Sequence, residues 1–300
     1  MAYMDKKLLG VIRARFLLLT MACLAPALVL AWHLAGTLDP LAITLVVVAG
    51  LASHVAANAL NEYEDFRSGL DFTTQRSPFS GGSGTLVAHP EFAPVALYLG
   101  LTCLMITLSI GWYFVQKLGA VLIAPGLLGL VLVMAYTRWI NLFPLLCLLA
   151  PGIGLGVLMI NLAVLVLSGE PSLEALVLSV PVALLVSNLL LINQLPDIEA
   201  DRRVGRRHIA VAWGVVWAVR IYTVLALCVY LSILGIWLAG VLPAGVMLGW
   251  LTAPLAFWVC RDLLRWDGAN HHSLVPVMGR SVVVTLLTPL LLAAGLLINT

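Results

Sequence analysis

Charge is scarce in this 300-residue chain: only 10% of its residues are Asp, Glu, Lys or Arg. A soluble domain ordinarily carries about 25%, so this polar complement is too thin to clothe a water-facing surface. The net charge is only +2 and no basic run interleaved with aromatics occurs, which argues against nucleic acid as a partner. Five cysteines, Cys23, Cys103, Cys147, Cys228 and Cys260, all lie in apolar stretches without CxxC or Cys/His spacing. Disulfide and zinc frameworks are therefore unsupported, and the thiols read as small buried hydrophobes. No Ser/His/Asp or Cys/His nucleophile is evident.

What stands in place of charge is hydrocarbon. Apolar residues make up 62% of the chain, with a mean hydropathy of +1.07, against roughly 45–50% apolar residues in an ordinary soluble domain. About 20 apolar residues cross a roughly 30 Å bilayer core, and that length predicts spans at 16–35, 41–60, 94–114, 118–137, 143–167, 173–195, 213–238, 242–260 and 277–298. The expectation is an all-α, polytopic membrane protein of about nine helices around a central cavity, with 1–300 as one transmembrane domain. The first run follows Lys6, Lys7, Arg13 and Arg15, but it is long, lacks a small-residue cleavage site and is followed by more spans, so it reads as a retained helix.

Basic residues test the span count, because inner loops and flanks hold Lys and Arg. With the N-terminus inside, 15 of the 16 basic residues fall on the inner side and only Lys117 falls outside, Arg220 sitting close to the mouth of the seventh span. A miscounted span would scramble that tally. The outer loops are too short to form a domain, so chemistry is expected on the inner face and in the cavity beneath it.

Seven of the chain's fourteen acids occupy two short stretches, NALNEYEDFRSGLD from Asn58 to Asp71 and DIEADRRVGRR from Asp197 to Arg207. Both follow even-numbered spans on the inner side, so they can converge. Carboxylates near hydrocarbon cost several kcal/mol unless solvated, paired or metal-bound. In the first stretch Asn58, Asn61 and Asp65 share a helical face with Glu62 beside it, and Gly69 then turns the chain to return Asp71. In the second, Asn193, Asp197 and Asp201 are spaced i, i+4, i+8, with Pro196 placed to kink the helix end. Two rows of oxygen donors without imidazole or thiolate favour Mg²⁺, which binds through one or two carboxylates, waters and substrate phosphates.

Arg67, Arg76, Arg138, Arg202, Arg206 and Arg207 lie near these clusters, where each is either a topology signal or a bidentate partner of phosphate, with Arg76 and Arg138 ranked first. The glycine-rich SPFSGGSG, Ser77 to Gly84, is expected to cap the site or to offer backbone N–H donors. His208, His271 and His272 read as loop residues, and His33, His54 and His89 have no partner at metal spacing. Tyr63, Tyr136 and Tyr222 lie near the expected cavity mouth.

These residues form a familiar pattern. Asn61-x3-Asp65-x5-Asp71 with Gly69, then GGSG, then Asp197-x3-Asp201 with Arg202 and Gly205, resembles the UbiA superfamily of intramembrane prenyltransferases. The forms NEYEDFRSGLD and LPDIEADRRVGRR look most like its menaquinone-type, 1,4-dihydroxy-2-naphthoate branch. The resemblance covers most of the chain and implies nine helices with the motifs on the second and sixth. It implies that Asn61, Asp65, Asp71, Asp197 and Asp201 bind two Mg²⁺ ions and the diphosphate of a polyprenyl donor. It also implies that Tyr136 and Arg138, in a Tyr-Thr-Arg segment after the fourth span, reach phosphate, beside the candidates Arg67, Arg76 and Arg202 read from their position near the clusters. Two departures stand out: Glu62 occupies a position usually held by Asp, and the fifth span LLCLLAPGIGLG lacks the Gly-Glu pair expected in the naphthoate branch.

The reaction so implied is Mg²⁺-dependent transfer of a polyprenyl group to an aromatic acceptor, a quinone precursor, at the cytoplasmic face of a bacterial inner membrane. Glu62 and Glu64 flank the assigned ligands. A secondary transporter whose acidic loops bind a cation is the first alternative, since weak internal repeats also occur in transporters. A non-catalytic scaffold, or a branch of the same family with a different acceptor, are the others.

Overall fold

A computed structural model describes residues 2–268 and 271–298. The chain opens on a short helix α1, Ala2–Val11. It leads through a 3₁₀ turn into α2, Leu17–Ala35. α3 runs Pro40–Ser68, started by Asp39, whose carboxylate accepts the Leu41 N–H at 3.0 Å, and by Pro40, whose fixed φ suits a first turn. α4 is Ala93–Leu118 and α5 is Ile123–Ala135. α6, Pro144–Pro151, passes through a π-helical stretch, Gly152–Leu158, into α7, Met159–Ser168. α8, Leu173–Asn193, is capped by Ser172, which accepts the Ala175 N–H at 3.0 Å. The small helix α9, Ile198–Arg203, precedes α10, Val215–Leu238. A 3₁₀ segment, Ala244–Thr252, continues into α11, Ala253–Arg265, and α12 is Leu274–Ile298. Among the described residues there is no strand.

Eight of the resulting segments are long and apolar enough to cross a membrane, and the apolar helix Ala120–Ala135 supplies the remaining expected span. At 1.5 Å per residue that helix is ~24 Å long, shorter than a roughly 30 Å hydrocarbon core. It replaces the longer span expected over 118–137, because Gly119, at φ 87°, and the turn at Tyr136 bound it. The second span departs the other way. It is expected to end at residue 60, yet α3 continues to Ser68. Its 29 residues measure ~44 Å, so the last turns overhang the hydrocarbon. The first acids therefore sit on a rigid helix rather than in a loop.

Two buried clusters hold the bundle. The larger joins α2, α7, α8, α10 and α12 through residues such as Leu24, Ile160, Leu178 and Ile233. The smaller packs one end of α8, α10, α11 and α12 with the short helix Ile209–Ala212, through Ile192, Ile209, Val259 and Met278. Apolar packing alone does not drive association in lipid, and close backbone approach between small residues does much of that work. A Cβ added at Gly156 would lie 2.5 Å from the Ala183 Cα, so the π-helical stretch and α8 touch backbone to backbone. The Asn188 amide adds a bond to the Tyr222 carbonyl at 3.1 Å, tying α8 to α10.

Candidate active site

α8 stops at Asn193 and the chain turns through Gln194–Pro196 before α9 begins. Proline cannot donate to the helical ladder, so the expected continuous i, i+4, i+8 face is broken. Asn193, Asp197 and Asp201 nevertheless all line one cavity. α3 brings Asn58, Asn61 and Asp65 to the same cavity from the other side, and Gly69, at φ 82°, caps that helix so that Asp71 returns from a 3₁₀ turn. The cavity has a volume of about 730 Å³. Its mouth is polar, and the rest is an apolar tunnel walled by α4, α5, the π-helical stretch and α7, including Leu104, Phe114, Leu155, Leu158 and Leu162.

The two clusters meet at Arg206. Its guanidinium binds Asp65 Oδ1 and donates to Asp201 Oδ1 at 3.0 Å. Asn61 donates to the other Asp65 oxygen at 2.8 Å, and Thr137 donates to the Asn61 carbonyl at 2.9 Å. His208, only 1% exposed, contacts Asp201 Oδ2 at 2.9 Å. Burial pulls the Arg206 guanidinium down, but Asp65 and Asp201 outweigh it, so the group is held more firmly charged than usual.

A second arginine reaches the cavity from the stretch before α2. Arg13 binds the fully buried Glu62 at 2.6–2.7 Å, and Ser83 donates its N–H and its hydroxyl to the same carboxylate at 2.8 and 2.7 Å. Arg13 has φ 49°, the only positive φ outside glycine among the described residues, a conformation that costs on the order of 1 kcal/mol and persists only when its surroundings impose it. The glycine-rich loop Ser77–Gly84 lies over both clusters. Gly81 bonds Asp197 through its backbone, and a Cβ at Gly82 would stand 2.7 Å from Asp71 Oδ1. Gly82 also has φ 71°, so only glycine fits both the turn and the approach.

Arg67, Arg76, Arg138 and Arg202 are exposed and do not line the cavity. Arg76 donates to the Asp71 carbonyl at 2.8 Å, Arg138 stacks over Trp139 at 5.7 Å, and Arg202 pairs with Glu199 at 2.7 Å. Tyr136 lines the cavity with its hydroxyl 3.6 Å from the Cys147 sulfur, whereas Tyr222 is buried against Ser281. His54, within α3, lines the wall and meets Thr20 at 2.7 Å.

The mouth suits a hard divalent cation. Asp65, Asp71, Asp197 and Asp201, with Glu62 behind Arg13, make five carboxylates to two guanidiniums, Arg13 and Arg206, leaving three negative charges uncompensated when all ionise. Asp71 Oδ2, Asp197 Oδ1 and Asn193 Oδ1 are buried without a hydrogen-bond partner, a costly arrangement unless something binds there. Burial, then Glu62 and Asp65, push Asp71 up to about 7, and burial, then Asp201, push Asp197 up to about 8. Among the described residues no three His, Cys, Asp or Glu side chains close on a single point. Mg²⁺ does not require such a cage, since it keeps waters and shares substrate phosphates.

Comparison with known proteins agrees with this architecture. The model of the UbiA prenyltransferase family matches residues 18–278. A 1,4-dihydroxy-2-naphthoate octaprenyltransferase of Bacillus subtilis (strain 168) is 29% identical over 206 residues, which cover 66% of this chain and 61% of that protein. The UbiA prenyltransferase domain-containing protein 1 of Xenopus tropicalis is 31% identical over 243 residues, covering 76% of this chain and 65% of that one. The match thus spans less than two thirds of either relative. In fold, the chain is similar to a UbiA homologue from Archaeoglobus fulgidus solved with GPP and Mg²⁺, at a TM-score of 0.68 and 13% identity, over 97% of this chain and 99% of that one.

Proposed function

The chain belongs to the UbiA prenyltransferase family, and we propose that it transfers a polyprenyl group from a prenyl diphosphate to an aromatic acceptor at the inner face of a bacterial plasma membrane. One observation carries the reading: a single cavity joins an acidic, arginine-bearing mouth to an apolar tunnel. That pairing matches a ligand with a charged diphosphate head and a hydrocarbon tail. The inner-side excess of Lys and Arg supports a cytoplasmic mouth and N-terminus.

Asn61, Asp65, Asp71, Asp197 and Asp201 would hold Mg²⁺, with Asn193 supplying a further oxygen. When bound, Mg²⁺ neutralises charge developing on the leaving diphosphate. Arg206 and Arg13 face the same volume and stabilise that charge by charge-assisted hydrogen bonds. The C1–O bond breaks with its electron pair leaving on the diphosphate, the acceptor ring attacks C1, and the ring then loses a proton. Tunnel residues such as Leu155, Leu158 and Leu162 hold the tail and keep water from the allylic cation. Arg67, Arg76, Arg138 and Arg202 remain candidates for steering the diphosphate toward the mouth from outside.

The family's relative of known naphthoate acceptor makes 1,4-dihydroxy-2-naphthoate the first acceptor to try. The decisive experiment follows a radiolabelled polyprenyl diphosphate with a panel of aromatic acceptors. Wild-type protein transfers label only with Mg²⁺, and Asp65→Ala and Asp197→Ala each abolish transfer while still inserting in the membrane. Full transfer by both variants would sink the two-cluster site, and uptake into proteoliposomes without diphosphate consumption would point to a transporter.

A further inference from the structure

The acids at the mouth are not held alike. Every carboxylate oxygen of Asp65 and Asp201 has a partner: Arg206 takes one from each, Asn61 the second of Asp65 and His208 the second of Asp201. Asp71, Asp197 and Asn193 instead each keep a buried oxygen with none. The Asp65–Asp201 pair is thus closed by a protein cation, while the oxygens of the other three are left unpartnered.

The geometry of Arg206 fits a side chain that can leave. Its backbone is fixed, donating to the Asp201 carbonyl at 3.0 Å, and Gly205, at φ 81°, sets the turn that aims it inward. The guanidinium itself hangs on a long flexible stem, and its planar fork matches a diphosphate as well as it matches two carboxylates. A divalent ion placed between Asp65 and Asp201 would meet a resident positive charge in a low-dielectric site, which is strongly repulsive.

We propose that Arg206 is a resident cation that closes the Asp65–Asp201 half of the metal site until a diphosphate enters and draws it away. This rests on the metal-dependent reading above. In the resting protein one divalent ion binds outside that pair, drawing on the unpartnered oxygens of Asp71, Asn193 and Asp197 that line the same cavity. Diphosphate then offers Arg206 an alternative anion, Asp65 and Asp201 are freed, and a second ion binds with the substrate. Metal loading is therefore sequential, and the carboxylates of Asp65 and Asp201 are never left as a bare pair.

Mn²⁺ serves as the probe, with the purified full chain in detergent. Equilibrium dialysis without any diphosphate is expected to give one bound Mn²⁺ per chain for wild type and for Arg206→Lys, and two for Arg206→Gln. Two ions in wild type, or one in Arg206→Gln, overturns the proposal. Because Arg206→Gln loses a buried ion pair and can fail to fold, a second measurement uses wild type alone. Its Mn²⁺ electron paramagnetic spectrum is expected to show isolated ions at first and a spin-coupled pair only after a non-reacting prenyl thiodiphosphate is added. A coupled pair before that addition, or none after it, also overturns the proposal. No bound Mn²⁺ under any condition removes the metal-dependent reading itself, a failure distinct from a wrong order of loading.

Discussion

Glu62→Gln should destabilise the protein by about 3–4 kcal/mol, although Glu62 lies outside the row of cavity-lining acids. Glu62 is fully buried, while the Arg13 side chain it holds is 22% exposed. Unit charges about 4 Å apart attract by roughly 4 kcal/mol at an effective dielectric of 20. The glutamine amide keeps one oxygen to accept the Ser83 N–H, so the loss is chiefly the ionic one. It also strands a partly buried guanidinium on a backbone already at φ 49°. Removing one partner of a buried pair costs about 3–5 kcal/mol, whereas removing both is often close to neutral. The double variant Arg13→Met/Glu62→Gln should therefore recover more than half of the loss. Reversible unfolding in mixed detergent, followed by circular dichroism, measures both variants, and limited proteolysis within Ser77–Gly84 reports whether the loop loosens with the single one. A single variant within about 1 kcal/mol of wild type, or a double variant no better than the single, would refute the argument that Glu62 anchors the loop.

Two further outcomes follow from the same site. Asp71 and Asp197 are raised to about 7 and about 8, above an unfolded value of about 4. The folded chain therefore holds their protons longer, so metal-free stability is greatest at low pH and falls as pH rises from about 4 to about 8. Unfolding between pH 5 and 9 should show that fall, and saturating Mg²⁺ should flatten it at the alkaline end; a metal-free profile that rises with pH contradicts the account. In the tunnel, Leu162→Trp fills part of the wall, so transfer from a long polyprenyl donor should fall at least tenfold while a ten-carbon donor is used normally. Equal losses for both donors would mean that the tail does not run past Leu162.

Hydropathy and the placement of arginines made the crossing helices legible, because both follow from the bilayer as solvent. The acids were legible for the same reason, since seven of fourteen gather in two stretches where carboxylates are expensive. Which cation serves them was not. Arg202 follows Asp201 directly and is turned out to solvent against Glu199, whereas Arg206 is brought inward by the left-handed Gly205. Spacing along the chain carries no sign of that turn beyond the glycine itself. Arg13 was harder still, for it lies 49 residues from Glu62 and looks like any basic residue at the start of a first span. Its sequence position makes His208 a loop residue, and only the return of the chain after α9 sets it against Asp201. Asn193, Asp197 and Asp201 were read on one face and reach one cavity, but through a helix break that sequence spacing could not distinguish from a kink.

The overhang of α3 has a bearing on where in the cell such a site can operate. Its apolar stretch from Leu41 to Ala57 covers ~26 Å, most of a bilayer core, and Glu62 and Asp65 stand ~8 and ~12 Å beyond it on the same unbroken rod. Natural membranes differ in thickness by only a few ångströms, and a protein adjusts to such mismatch by tilting or by thinning the lipid around it. A stand-off of that order leaves the acids buried by protein rather than by lipid, in thin and thick membranes alike. The surroundings of these acids are thereby set by the protein and not by lipid composition, and the depth of the hydrocarbon is felt only by the tunnel below.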